Sequence, residues 1–159
     1  MQALHGVIKA GYARYIGKSS CYAHQFQAMQ NYGIANNLTP FISMQNHYSL
    51  VCREEEREMI PTLKMFGVGS ISWSPLARQQ TTRGKPIGLS EGMERLTKGI
   101  TRSSDVAVEA LAKKKNLTIA QVTLAWIMSK DQVSVPVVGT TNLSNLEELV
   151  AAVNVNLSS

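Results

Sequence analysis

Four short β-forming runs, ARYIG (13–17), PFISMQ (40–45), VGSISWS (68–74) and VSVPVV (133–138), alternate with segments long enough for helices. That alternation constrains the fold more than any other feature. A strand that returns through a helix to a second strand lies parallel to the first, with a right-handed crossover. The runs read as mostly apolar on both faces, as parallel strands covered on two sides should be. The intervening helices are expected at YAHQFQAMQNYGIA (22–35), at REEEREMIPTLKMFG (53–67), and at about 103–115 and 119–130. Gly67 is placed to stop the second of these, and Pro61 is a flaw in it. Thr118-x-x-Gln121 and Ser144-x-x-Glu147 have the spacing of capping boxes. Val122, Ala125, Trp126 and Ser129 share one face, and Leu146, Leu149, Val150 and Val153 form an amphipathic stripe on a last helix. A short amphipathic helix, MQALHGVIKAG, precedes the first strand. The pattern is α/β, and it leaves two architectures: an open doubly wound sheet, or part of a (β/α)₈ barrel.

A chain of 159 residues with 44% hydrophobic and 17% charged residues can bury one domain's core. No apolar run approaches the roughly 18 residues of a membrane span, so no membrane partner is expected. The first residues lack the basic region, apolar core and cleavage site of a secretory signal. Cys21 and Cys52 lie far apart and form no C-x-x-C, so free thiols in a reducing, cytoplasmic setting are expected. The net charge of +5 comes from 16 basic and 11 acidic residues that are scattered rather than clustered. The densest run, Lys113–Lys115, sits near a helix C-terminus, where it complements the helix dipole. The charge therefore points to a phosphate-bearing small ligand and not to nucleic acid.

Every strand candidate runs into a polar group at its C-terminal end: Ser19-Ser20, Gln45-Asn46, Ser72-Trp73-Ser74 and Gly139-Thr140-Thr141. In parallel α/β folds these ends form the ligand face. Strand, Gly-Thr-Thr-Asn, then a capped helix is the layout of a phosphate cradle, with small residues allowing close approach and helix N–H groups supplying positive potential. Other chemistries find no motif. G-x-G-x-x-G, Walker and G-x-S-x-G patterns are absent from the sequence, and His5, His24 and His47 are not spaced as metal ligands. Each histidine reads as structural or surface, and the 54–56 acidic run as a solvated helix start.

The stretches ALHGVIKAGYARYIGKSS, MQNHYSLVCREEEREMIP, SWSPLAR with TTR, LTIAQVTLAWIMSK and VPVVGTTNLSNLEEL together resemble the C-terminal half of an aldo-keto reductase, in the branch near the aryl-alcohol dehydrogenases and potassium-channel β subunits. The resemblance implies a (β/α)₈ barrel of which this chain holds the last four βα units. It also implies NADPH as cofactor, bound without a Rossmann motif. Ser19, Ser20 and Gln45 would hold the nicotinamide carboxamide, and Trp73 would stack on the nicotinamide ring. Ser74, Pro75, Leu76 and Ala77 would pass along the pyrophosphate with Arg78 and Arg83 nearby. Gly139, Thr140, Thr141 and Asn145 would surround the 2′-phosphate, and Glu148 would meet the adenine.

The implied reaction is hydride transfer from NADPH to an aldehyde or ketone. The family's catalytic Asp, Tyr, Lys and His belong to earlier strands, and none of their motifs occurs here. Gln79 follows Arg78 where the family often has Gly, and Leu149 stands where it usually has Asn. The alternative expectation is a non-catalytic remnant that acts, if at all, as a cofactor-binding or protein-interaction module. Four strands alone would expose a barrel face carrying residues such as Ile16, Ile42 or Ile71, so self-association through the open edges is expected.

Overall fold

The computed structural model describes residues 1–76, 106–131 and 133–157. A helix, α1 (Gln2–Lys9), leads into β1 (Gly17–Ser19), α2 (Ala23–Ala35), β2 (Ser43–His47), a 3₁₀ turn (Glu54–Glu56), α3 (Met59–Phe66) and β3 (Gly69–Trp73). Residues 106–115 are helical (α4). They are followed by α5 (Ile119–Met128), β4 (Val133–Val137), α6 (Leu143–Ala151) and a 3₁₀ turn (Ala152–Asn154). All strand pairs are parallel, and the sheet order is β1-β2-β3-β4. This order selects between the two architectures. A doubly wound sheet reverses its strand order at a switch point; here each strand lies beside its successor, as in the wall of a (β/α)₈ barrel. The fold is α/β, a run of four βα units of barrel type.

The first two strands lie further along the chain than the apolar runs suggested. ARYIG is mainly the approach to β1: Ile16 is buried in the core and Tyr15 is exposed. Likewise Phe41 is core, and β2 begins at Ser43. Gly17 pairs with Ser43 at a close approach, where a Cβ would collide with the Ser43 hydroxyl. Nor are the strands apolar on both faces. Met44 packs among Phe26, Met59 and Leu63 on the helix side, and Asn46, Ser70 and Ser72 are buried with the same parity. Gln45, His47, Ile71 and Trp73 take the opposite face and are half-buried.

The expected 53–67 helix is shorter. Its acidic start is the 3₁₀ turn, and α3 proper covers Met59–Phe66. Pro61 is no flaw: it is the third residue of α3, where a backbone N–H has no intrahelical partner to lose. Gly67 closes α3 at φ 64°, a left-handed geometry that glycine adopts at least cost. On α5 the Thr118 box forms as expected: its Oγ1 accepts from the Gln121 N–H at 3.2 Å, and Gln121 Oε1 accepts from the Thr118 N–H at 3.1 Å. On α6 the stripe is narrower than its periodicity implied. Leu149 is buried and, with Ala152, meets Ala120 and Leu124 of α5, whereas Leu146, Val150 and Val153 are exposed. Among the described residues the buried side of α6 meets α5 along a single seam, and Leu149 with Ala152 fills it.

Candidate functional site

The C-terminal ends of β1, β2 and β3 converge through hydrogen bonds that involve several of the expected site residues. The Gln45 carbonyl accepts from the Ser20 N–H at 3.0 Å and from the Ser19 hydroxyl at 3.1 Å. Ser20 sits at φ 21° and Ser74 at φ 49°, so both strand exits turn through backbone that L-residues rarely occupy. Such strain persists where surrounding structure enforces it and clusters at ligand sites. Trp73, the last residue of β3, reaches back across the sheet, its indole N–H toward the Ser20 hydroxyl at 3.4 Å. Its ring stacks on His47, its register partner on β2, with centroids 4.3 Å apart and planes 16° from parallel. The chain then enters buried Pro75, and Leu76 packs on the α5–α6 cluster. The turn after β3 is thereby pinned to the helix layer.

The fourth strand end is more open. Val137 pairs with Trp73, so the loop after β4 leaves the sheet beside the indole. Gly139, Thr140 and Thr141 are exposed in that loop. The helix that follows is capped by Asn142, whose Oδ1 accepts from the Ser144 N–H at 2.9 Å, and not by Ser144 as the sequence suggested. The Asn142 N–H donates in turn to Thr140 Oγ1 at 3.2 Å, which folds the loop over the helix start. Asn145 and Glu148 follow three residues apart on α6, one exposed and one half-buried.

A family model for the aldo/keto reductase family matches residues 1–159. The chain belongs to the aldo/keto reductase family. It is 43% identical to a versiconal hemiacetal acetate reductase of Aspergillus parasiticus, 40% to an aldo-keto reductase of Fusarium vanettenii and 40% to a putative aryl-alcohol dehydrogenase of Schizosaccharomyces pombe. Each match covers 99% of this chain but only 49%, 45% and 47% of the respective relative. The chain thus spans about half the length of the curated relatives it matches.

Among the residues that the aldo/keto reductase resemblance singled out, Ser19, Ser20, Gln45, Trp73 and Ser74 lie together at three adjacent strand ends. Gly139, Thr140, Thr141, Asn145 and Glu148 lie on the neighbouring loop and helix. Pro75 and Leu76 are turned into the packing beneath. Ala77, Arg78 and Arg83 lie outside the described residues. The sequence reading missed His47 as a member of this cluster. Its signal was parity: two residues beyond Gln45 on the same strand, it must share Gln45's face.

The acidic run is also more than a solvated helix start. Glu55 Oε2 accepts from the Asn46 amide at 2.7 Å. Glu56 accepts from the Tyr48 hydroxyl at 2.6 Å and from both Arg53 Nε and a terminal nitrogen at 2.8 Å. Burial pushes the Glu55 carboxyl above its ordinary range, while the Arg53 guanidinium holds Glu56 below it. Burial, with the adjoining Glu56, moves the Tyr48 phenol well above its usual value. For Glu55 the folded pKa exceeds the unfolded one, so its contribution is full below the unfolded value of about 4.3 and is lost as pH rises through the folded value. Glu55→Gln keeps an acceptor for Asn46 and removes the ionisation. Urea unfolding should show the variant equal to the parent below about pH 4 and increasingly more stable than it toward neutrality. A difference that shrinks with rising pH would contradict the assignment.

Proposed function

We propose that this chain supplies the cofactor-binding portion of an NADPH-dependent carbonyl reductase. The observation that carries the reading is the oriented indole of Trp73, set among Ser19, Ser20 and Gln45 and adjoining the exposed Gly139–Thr141 loop at a capped helix start. Trp73 offers a flat ring to a nicotinamide, and Gln45 with the two serines offers polar partners to its carboxamide. Gly139, Thr140 and Thr141 leave room for a phosphate group beside the first N–H groups of α6. When bound, the dihydronicotinamide supplies hydride to the carbonyl carbon of an aldehyde or ketone. The family relatives named as reductases and dehydrogenases support that reaction class. The proton donor would have to come from outside these residues, because no family Asp, Tyr, Lys or His motif occurs among them. A positioned acid contributes about 10²–10⁴ in rate, so this chain is expected to bind without useful turnover. A cytoplasmic, reducing setting belongs to the reading: Cys21 and Cys52 are unbridged, and burial pushes both thiols up, away from the reactive thiolate.

Calorimetric titration with NADPH and NADH tests the proposal. Charge-assisted contacts to a 2′-phosphate contribute on the order of 1.5–3 kcal/mol, so NADPH should bind at least about tenfold more tightly. Equal affinity would overturn the role of the 139–148 segment. Saturable binding of neither would favour the alternative, a non-catalytic remnant whose site residues are inherited and unused.

A further inference from the structure

The cofactor reading gives Trp73 a task but leaves its stacking partner without one. The geometry points to His47 as a positioning residue that backs one face of the Trp73 ring, so that the other face can receive a flat heteroaromatic ligand; this rests on the reading of Trp73 as the nicotinamide platform. Trp73 closes β3 at the point where the backbone turns through the left-handed Ser74, and its side chain is half-buried. A long side chain at such an exit has rotamers to lose, and among the described residues Ser20 and His47 hold it. The bond to Ser20, at 3.4 Å, is long and fixes only one edge of the indole. The stack on His47 fixes the plane. His47 and Trp73 are paired in register on adjacent parallel strands, which lie about 4.8 Å apart. Two rings projecting from paired positions therefore meet face to face at close to van der Waals contact, and the 4.3 Å centroid separation is that outcome. The strand pairing thus transmits its own rigidity to the indole plane. A ring held in this way loses less freedom when a ligand stacks on it, so pre-organisation should appear directly as affinity.

The test places each His47 variant in a Trp126→Phe background, which leaves Trp73 as the only indole of a chain that has two tryptophans. Trp73 fluorescence anisotropy then reads the order of the ring, and calorimetry reads binding of NADPH and of adenosine 2′,5′-bisphosphate, a fragment that lacks the nicotinamide. His47→Ala should lower the Trp73 anisotropy and weaken NADPH binding by roughly 2- to 10-fold, the scale of ordering one side chain on binding, with the fragment's affinity unchanged. His47→Phe, which keeps a ring at that position, should restore both. Unchanged anisotropy or unchanged NADPH affinity in His47→Ala, or equal weakening of NADPH and the fragment, would overturn the positioning role. If the parent protein binds neither ligand, the cofactor reading itself fails and the role of His47 fails with it. A fault in His47 alone instead shows as parent-like NADPH binding in His47→Ala.

Discussion

Phe26→Ala should cost about 3–5 kcal/mol of folding stability, the range for deleting a buried aromatic ring. Phe26 is fully buried on α2 and lies between two other rings, Phe41 at 6.0 Å and Phe66 at 6.3 Å. Ile16, Met44 and Leu63 complete its surroundings. The cavity would be walled by Met44 of the sheet on one side and by Met59 and Leu63 of α3 on the other. Stability of a domain this size is about 5–15 kcal/mol, so the variant should be close to unfolded at modest urea concentration. The loss would also reach the site, because Ser19, Ser20 and Gln45 are placed by the two strands that rest on this cluster. A loss below about 1 kcal/mol would mean that the α2–sheet packing is not the core of the fold.

Purified protein is expected to run at twice the monomer mass. On the sheet face opposite the helices, Val135 and Val137 are 47% and 48% exposed, beside the half-buried Ile71 of β3. Ile16 does not join them, since it turns into the core. Among the described residues β1 and β4 each pair on one side only, leaving two open edges. Four parallel strands from each of two copies, with β4 of one beside β1 of the other, would close eight strands around a two-fold axis and cover the apolar face. A few hundred Å² of apolar surface is worth several kcal/mol at about 25 cal/mol per Å². Light scattering on the parent and on Val135→Lys/Val137→Lys tests this: dimer for the first and monomer for the second are expected, and a monodisperse parent monomer would contradict it.

What the sequence made legible followed from chemistry that is local. The βα alternation, the Thr118 box and the Gly67 stop are set by neighbours within a few positions, and they stand in the structure; of the polar strand ends, Asn46 turns instead to the helix side and donates to Glu55. The misplaced strands failed for the opposite reason. Ile16 and Phe41 look like strand residues because they are apolar, yet they are core plugs just ahead of β1 and β2, and only the pairing of Gly17 with Ser43 shows where the ladder begins. The acidic run looked solvated because its partners, Asn46 and Tyr48, come from an adjoining strand and turn. His47 read only as a structural or surface histidine because its stacking partner, Trp73, is 26 positions away and brought opposite only by register. On α6 the periodicity of Leu146, Val150 and Val153 was real, but it does not say how many neighbours a helix has.

The proposed function requires the strand-end face built around Trp73 to receive a nicotinamide dinucleotide. Its most direct test is calorimetric titration of NADPH into the parent and Trp73→Ala proteins, each paired with a urea unfolding curve. Saturable binding to the parent and affinity about tenfold lower in the variant are expected, with folding stability lowered by no more than about 1.5 kcal/mol, the scale of the lost Trp73–His47 stack. Undiminished affinity per folded molecule, together with a variant that unfolds at much lower urea, would make Trp73 a packing residue and overturn its role as the nicotinamide platform.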